Sequence, residues 1–385
     1  MSMKKIFILS VLSIGFLGSL HAFTNLQDLQ LYGAQHPEYP DGDTNTWLDQ
    51  TYTTFYRSME PGFLTKVGRW LHLSSEPLWS TTELEKLLER AVKTLEKQEK
   101  YETILGTVAT EPMHFLVLSG LHGAFHSLVR ILTSWQAQAI LDNQLVLTDK
   151  TRNLIINGDV ISGSPYILET LTAILMLAER NPGRVWYIQG KDELEQVWRS
   201  HELGRQLIAS CGASCYQRVE ALLALYFQAL PQALYIVDNE RKNAFVFDSF
   251  DVLHRQRDEE LGSFFTNLQN NVITTYSFFE RLKTEQLVTV KALVQSRTIW
   301  PTFKPIMPCE LLPNTKPLTW LLTSAQTRAY RQLYRFFYDA YAVIDVTPKL
   351  EKSTLSCMAR DVRKEQPFEQ QACYDLLSGT ECPKK

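Results

Sequence analysis

From about residue 113 the chain repeats one local pattern. Short apolar runs end in glycine-containing turns, and amphipathic stretches with helical spacing follow. The runs are Phe115 to Ser119, Leu154 to Asn157, Val185 to Gln189, Ala233 to Val237 and Ala244 to Phe247, with Ala292 to Val294 and Ala340 to Val346 further on. Runs this short, joined by helix-length segments, predict strands alternating with helices, hence an α/β fold. Helical stretches are expected around Leu194 to Ile208 and Gln217 to Gln228. Upstream, Ser80 and Glu83 form a capping-box pattern, and Leu84, Leu87, Leu88, Ala91, Val92 and Leu95 recur at helical spacing to about Lys100.

The ends of the chain set its expected compartment and organisation. Lys4 and Lys5 precede an apolar run, Ile6 to Gly18, which closes on Ser19, Leu20, His21 and Ala22. That is the pattern of a secretory signal cut after Ala22. The run is shorter than the roughly 20 residues a spanning helix needs. The mature chain is therefore expected to be exported, periplasmic or secreted, with no membrane attachment. All six cysteines lie after residue 210, and an even number in an exported chain reads as disulfides. Cys211 is expected to close on Cys215, and the cysteines after residue 348 to staple the C-terminus. With a formal net charge of −3 and both signs scattered, no basic stripe points to nucleic acid. The expected division is a signal segment (1–22), a partly helical N-terminal extension (23–110), a main domain (111–348) and a cysteine-containing tail (349–385).

In α/β folds, ligands gather where strands end and the next helix begins. Three such ends carry unusual residues: SGLHG (Ser119 to Gly123), NGDVISGSP (Asn157 to Pro165) and QGKDELE (Gln189 to Glu195). Taken in order, they resemble the phosphoprotein-phosphatase branch of the calcineurin-like metallophosphoesterases, whose strand ends carry GDxHG, GDxxDRG and GNHE. The flanking segments ELEKLLERAVKTLEK, AFHSLVRIL and ALYFQALPQALYIV are similar to that family's. AFVFDSF and KALVQSRT fall where its HGG and final GH motifs stand. The resemblance spans about residues 80 to 300 and implies a β-sandwich flanked by helices.

Such enzymes hold two metal ions so that a bridging water becomes a nucleophile at neutral pH. Carried over residue by residue, the resemblance places Gly120 where the first motif has its metal-binding Asp, while His122 and Asp159 match. Ser162, Gly163 and Ser164 replace Asp, Arg and Gly. Lys191 stands for the metal-binding Asn, Asp192 for the His that acts as acid, Asp248 for the HGG His and Arg297 for the final His. Lys191 and Arg297 bring positive charge to a place built for divalent cations. The resemblance thus implies a pseudophosphatase, with no cofactor, that binds a protein or a phosphorylated ligand. Under that reading Gly120, Gly123 and Ser164 offer backbone N–H groups to an anion, and Lys191 and Arg297 add charge.

The alternative is an active metal-dependent phosphoesterase. It would have a rearranged site of His122, Asp159 and Asp248, with Asp192 as acid, holding Mn, Zn, Fe or Mg. The three aspartates Asp159, Asp192 and Asp248 on one hard cation, or His122 and His126 on zinc, are further arrangements that the residue types allow.

Overall fold

The computed structural model describes residues 23–36, 38, 79–97, 104–199, 202–240, 242–249, 289–296, 309–312, 318–325, 338–364 and 366–383. The signal segment and Arg297 lie outside the described residues. Two helices open the chain, α1 (Leu26–Gln35) and α2 (Thr81–Lys97). They are followed by β1 (Ile104–Val108), β2 (Met113–Leu118), α3 (Phe125–Ala137), β3 (Arg152–Asn157), α4 (Ile167–Arg180) and β4 (Val185–Ile188). Next come α5 (Glu195–Trp198), α6 (Glu202–Ala229), β5 (Ala233–Val237), β6 (Asn243–Ser249) and β7 (Thr289–Ser296). The series closes with β8 (Cys309–Leu312), β9 (Leu318–Leu322), β10 (Tyr338–Val346), β11 (Thr354–Asp361) and β12 (Glu369–Asp375).

The strands form two six-stranded sheets, β1-β5-β6-β7-β9-β8 and β12-β11-β10-β2-β3-β4. Side chains alternate across a strand, so each sheet has two faces with different tasks. Phe115, Val117 and Ile155 of the second sheet meet Phe245, Phe247, Val294 and Trp320 of the first in an apolar layer between the sheets. Leu116, Leu118, Leu154 and Ile156, on the opposite face of the second sheet, pack under α3 and α4. Each fully buried side chain of this size contributes about 1.5–3 kcal/mol by leaving water. The architecture is therefore the helix-flanked β-sandwich expected above.

The helices begin and end where their sequences direct. The Ser80 hydroxyl accepts the Glu83 N–H at 3.3 Å at the start of α2, and Leu84 and Leu88 are fully buried. α6 is not one straight rod, because Gly212 has φ 77° and ψ 175° and breaks it into two arms.

Three disulfides pair all six cysteines: Cys211–Cys215, Cys309–Cys357 and Cys373–Cys382. The second ties β8 at the edge of one sheet to β11 in the other. Residues beyond 348 are disulfide-linked as expected, and they also supply β11 and β12 to the second sheet. Mass measurement of native protein after alkylation should find no modified cysteine before reduction and six after it. Several labelled thiols in the unreduced sample would contradict the pairing.

The N-terminal helix is fastened to the sandwich. Tyr32 donates to Glu169 Oε1 at 2.9 Å, and His126 Nε2 bonds the Gly33 and His36 carbonyls at 3.2 and 2.7 Å. Arg130 forks onto Glu38 at 2.8 and 3.0 Å and donates from Nε to Asp339 at 2.5 Å. Asp339 also accepts from Ser127 Oγ at 2.7 Å. His126 is thus an anchor for the extension, and burial holds its imidazole below the ordinary value.

Candidate active site

The loops after β2, β3 and β4 meet at one end of the second sheet. The first two are stitched together by backbone bonds, with Gly120 N–H donating to Gly158 O at 3.2 Å, His122 N–H to Asp159 O at 2.9 Å and Gly123 N–H to Val160 O at 2.5 Å. These bonds hold two non-glycine residues in left-handed backbone, His122 at φ 47° and Asp159 at φ 55°. Such conformations cost on the order of 1–3 kcal/mol each and persist only where surroundings enforce them. Gly120 and Gly123 therefore spend their N–H groups on the neighbouring loop rather than offering them to an anion. The Ser164 hydroxyl accepts the Tyr166 N–H at 3.2 Å and so caps the turn into α4.

Glu193 joins the second and third loops. Fully buried, it accepts Asp159 N–H at 3.0 Å and Gly190 N–H at 2.7 Å on Oε2. Its Oε1 accepts Val160 N–H and the Tyr187 hydroxyl, both at 2.8 Å. A carboxylate has about four lone-pair sites, and here four donors occupy them. Gly190 has no substitute, because a Cβ there would overlap the Asp159 amide and the Glu193 carboxylate.

Asp159 is similarly occupied. Its Oδ1 accepts the N–H groups of Lys191 at 2.9 Å and Asp192 at 3.4 Å, and its Oδ2 accepts the Ser296 hydroxyl at 2.6 Å. Ser296 ends β7, so that strand reaches the site through the residue before Arg297. Strand alternation carries the signal for it, since Ala292 and Val294 face the inter-sheet core and Ser296 continues their face.

A third cluster lies beside the second. His122 Nδ1 is 2.9 Å from Ser162 Oγ and 3.3 Å from Asp192 Oδ2, and Ser162 donates to Asp192. Both partners engage the same ring nitrogen. A Ser-His-Asp triad needs them on opposite nitrogens, so this is not one.

The charges are interdependent. Burial lowers the His122 pKa, but the bond and charge of Asp192, followed by the charges of Asp159 and Glu193, raise it above the ordinary value. Burial raises Asp192, yet His122, Ser162 and the Lys191 charge bring it below the usual carboxylate range. Both shifts favour an imidazolium–carboxylate pair. Burial and the Asp192 charge push Asp159 up to about 6; burial and the charges of Asp159 and Asp192 push Glu193 up to about 8. Burial alone is the main cause that lifts Glu169 to about 7.

The sign of the resulting pH dependence is fixed. Stability linked to a raised pKa is present below the unfolded value and lost as pH rises through the folded one. Between pH 6.5 and 8, His122 and Glu169 act in that direction, the four donors on Glu193 work against the effect of its burial, and His126 opposes only below 6.5. The melting temperature at pH 8 should lie roughly 2–4 °C below that at pH 6.5 at constant ionic strength. An unchanged or higher value in thermal scans would contradict this assignment of charge.

The site does not fit a two-metal centre. Position 120 offers no ligand, and a Cβ there would stand 3.2 Å from His122 Nε2 and 3.5 Å from Ser296 Oγ. The lone pairs of Asp159 that would face an ion already face N–H and O–H donors. Asp248 does not join the group. Phe245 and Phe247 point into the inter-sheet core, so by alternation Asp248 lies on the other face of β6, paired with Gln295 rather than Ser296. Among the described residues no three His, Cys, Asp or Glu side chains stand together as a metal-binding group.

No protein-family model matches the sequence, and no curated protein matches it. Among solved structures, the chain is similar to a protein serine/threonine phosphatase from Saccharomyces cerevisiae with similarity to human phosphatase PP5. The identity is 16% over 74% of this chain and 88% of that one, with a TM-score of 0.47. It is also similar to the cold-active protein-tyrosine phosphatase of a psychrophilic Shewanella species, at 10% identity over 70% and 82% of the two chains and a TM-score of 0.31. Haemophilus influenzae NAD nucleotidase matches at 9% identity over 67% of this chain and 53% of that chain, with a TM-score of 0.32. Likeness at this level concerns the outline of the fold and carries nothing about activity.

Proposed function

We propose that this chain is an exported, phosphoesterase-type protein whose metal-holding site has become a closed hydrogen-bonded network. It works by binding a protein or a phosphorylated ligand rather than by hydrolysing a phosphate ester. The order of the three strand-end motifs supports the family. One observation carries the loss of catalysis: the Asp159 carboxylate is spent on Ser296, Lys191 and Asp192. In place of dications, the His122 imidazolium supplies the positive charge beside Asp192.

Losing a single well-placed electrostatic group costs on the order of 10² to 10³ in rate. Here the ligand position at 120 is empty of donors, and the positions that should hold Asn and His carry Lys191 and Asp192. Purified protein should show no hydrolysis of a generic phosphate ester above a mock preparation, with Mn, Zn, Fe or Mg added. It should carry less than one tightly bound metal per chain.

The closeness of His122 to Asp192 favours one competing reading, a metal-dependent phosphoesterase with a rearranged site in which Asp192 is the acid. Turnover abolished both by a chelator and by Asp159→Asn would establish that reading and overturn the proposal.

A further inference from the structure

The two arms of α6 fold back on one another. A methyl group on Gly204 would lie 3.7 Å from the ring edge and the hydroxyl of Tyr216, yet twelve residues of straight helix separate their ends by about 18 Å. Arg199, just before α6, also pairs with Glu220 in the second arm. The chain therefore turns sharply at Gly212, and Cys211 and Cys215 clasp the elbow with Cα atoms 5.6 Å apart. Residues 212–214 are exposed and Cys211 is partly so, whereas Cys215 is buried.

We propose that the Cys211–Cys215 disulfide is a thiol–disulfide exchange site, opened in the folded chain by a dithiol, and that opening it releases the first arm of α6. The asymmetry of the elbow sets the direction of the chemistry. Cys211 ends the first arm and is the more accessible sulfur. Cys215 lies in the first turn of the second arm, where the helix N-terminus stabilises a thiolate. A thiolate of the dithiol attacks the more accessible Cys211, the Cys211–Cys215 bond breaks, and Cys215 leaves as a thiolate. The second thiol of the reagent then attacks the mixed disulfide. This releases Cys211 and oxidises the dithiol to its disulfide, a balanced two-electron exchange.

Two further features separate this bond from Cys309–Cys357. It closes a loop of only a few residues, so little chain entropy depends on it. The other ties two sheets across a sequence separation of 48, with Cys357 buried.

The first arm is not idle packing. Leu203 and Leu207 are fully buried, and Gln206 donates to the Ser164 carbonyl at 2.6 Å, on the loop that carries Asp159 and Ser162. Freeing the arm therefore loosens the loop beside the candidate site.

The test uses the full chain, oxidised, in dithiothreitol without denaturant, quenched by alkylation and peptide mapping, with hydrogen exchange on the same sample. Cys211 and Cys215 should be alkylated while Cys309 and Cys357 remain bonded. Exchange over residues 202–216 should rise roughly tenfold, with β2 and β3 unchanged. The double variant Cys211→Ser/Cys215→Ser should show the raised exchange without reductant. Labelling of Cys211 and Cys215 only together with Cys309 and Cys357, or unchanged exchange over 202–216 after labelling, would overturn the proposal.

Discussion

Glu193→Ala should lower the free energy of unfolding by roughly 4 kcal/mol or more, because it strands four buried donors at about 1–3 kcal/mol each. Those donors are the amides of Asp159, Val160 and Gly190 and the Tyr187 hydroxyl. They belong to the second and third loops and to β4, so the substitution unfastens two loops from each other at once. Glu193→Gln is the informative control. It keeps one acceptor oxygen, and its NH₂ group would face two donors, so about half of the loss is expected. Denaturant unfolding with an unchanged slope reads both values. A cost for alanine below about 1 kcal/mol would mean that the loops hold their geometry without this carboxylate.

Asp339→Ala should cost about 3 kcal/mol, the lower end of what breaking a buried ion pair costs, since Glu38 still faces Arg130. Asp339 has no exposed surface and accepts from both Arg130 and Ser127. Its loss leaves Arg130 with half of its partners inside the protein. Arg130 also grips Glu38, so limited proteolysis should cut the segment around residues 23–38 sooner in the variant. Equal cleavage rates, with equal unfolding midpoints, would show that the extension is held by its apolar contacts alone.

The parallel strands of the second sheet are legible because they are buried on both faces and so read as continuous apolar runs. Phe115 to Ser119, Leu154 to Asn157 and Val185 to Gln189 lie within a few residues of β2, β3 and β4. The strands beyond residue 348 are harder to read. In β11, Leu355, Cys357 and Ala359 are buried, but Ser356, Met358 and Arg360 alternate with them, and β12 is an edge strand with charged and amide side chains. The candidate site is legible as three strand ends, and His122, Asp159, Lys191 and Asp192 do meet there. Glu193 stands in the last position of the GNHE-like motif, yet its role depends on amides contributed from another loop. Ser296 needed the facing of β7. Asp248 shows the converse, because a matching position in a motif does not say on which side of a strand a residue emerges.

The placing of β10 has a consequence for how the chain is made. β10 pairs with β2, as in Met113 with Val346, and these partners lie about 230 residues apart in sequence. Until β10 has been synthesised and brought back, β2 presents an open hydrogen-bonding edge, and the layer between the sheets lacks Ala342, Ile344 and Val346. Closure of so long a loop is a slow step that local contacts cannot replace. The nascent chain is therefore unable to complete its sandwich before β10 has been made.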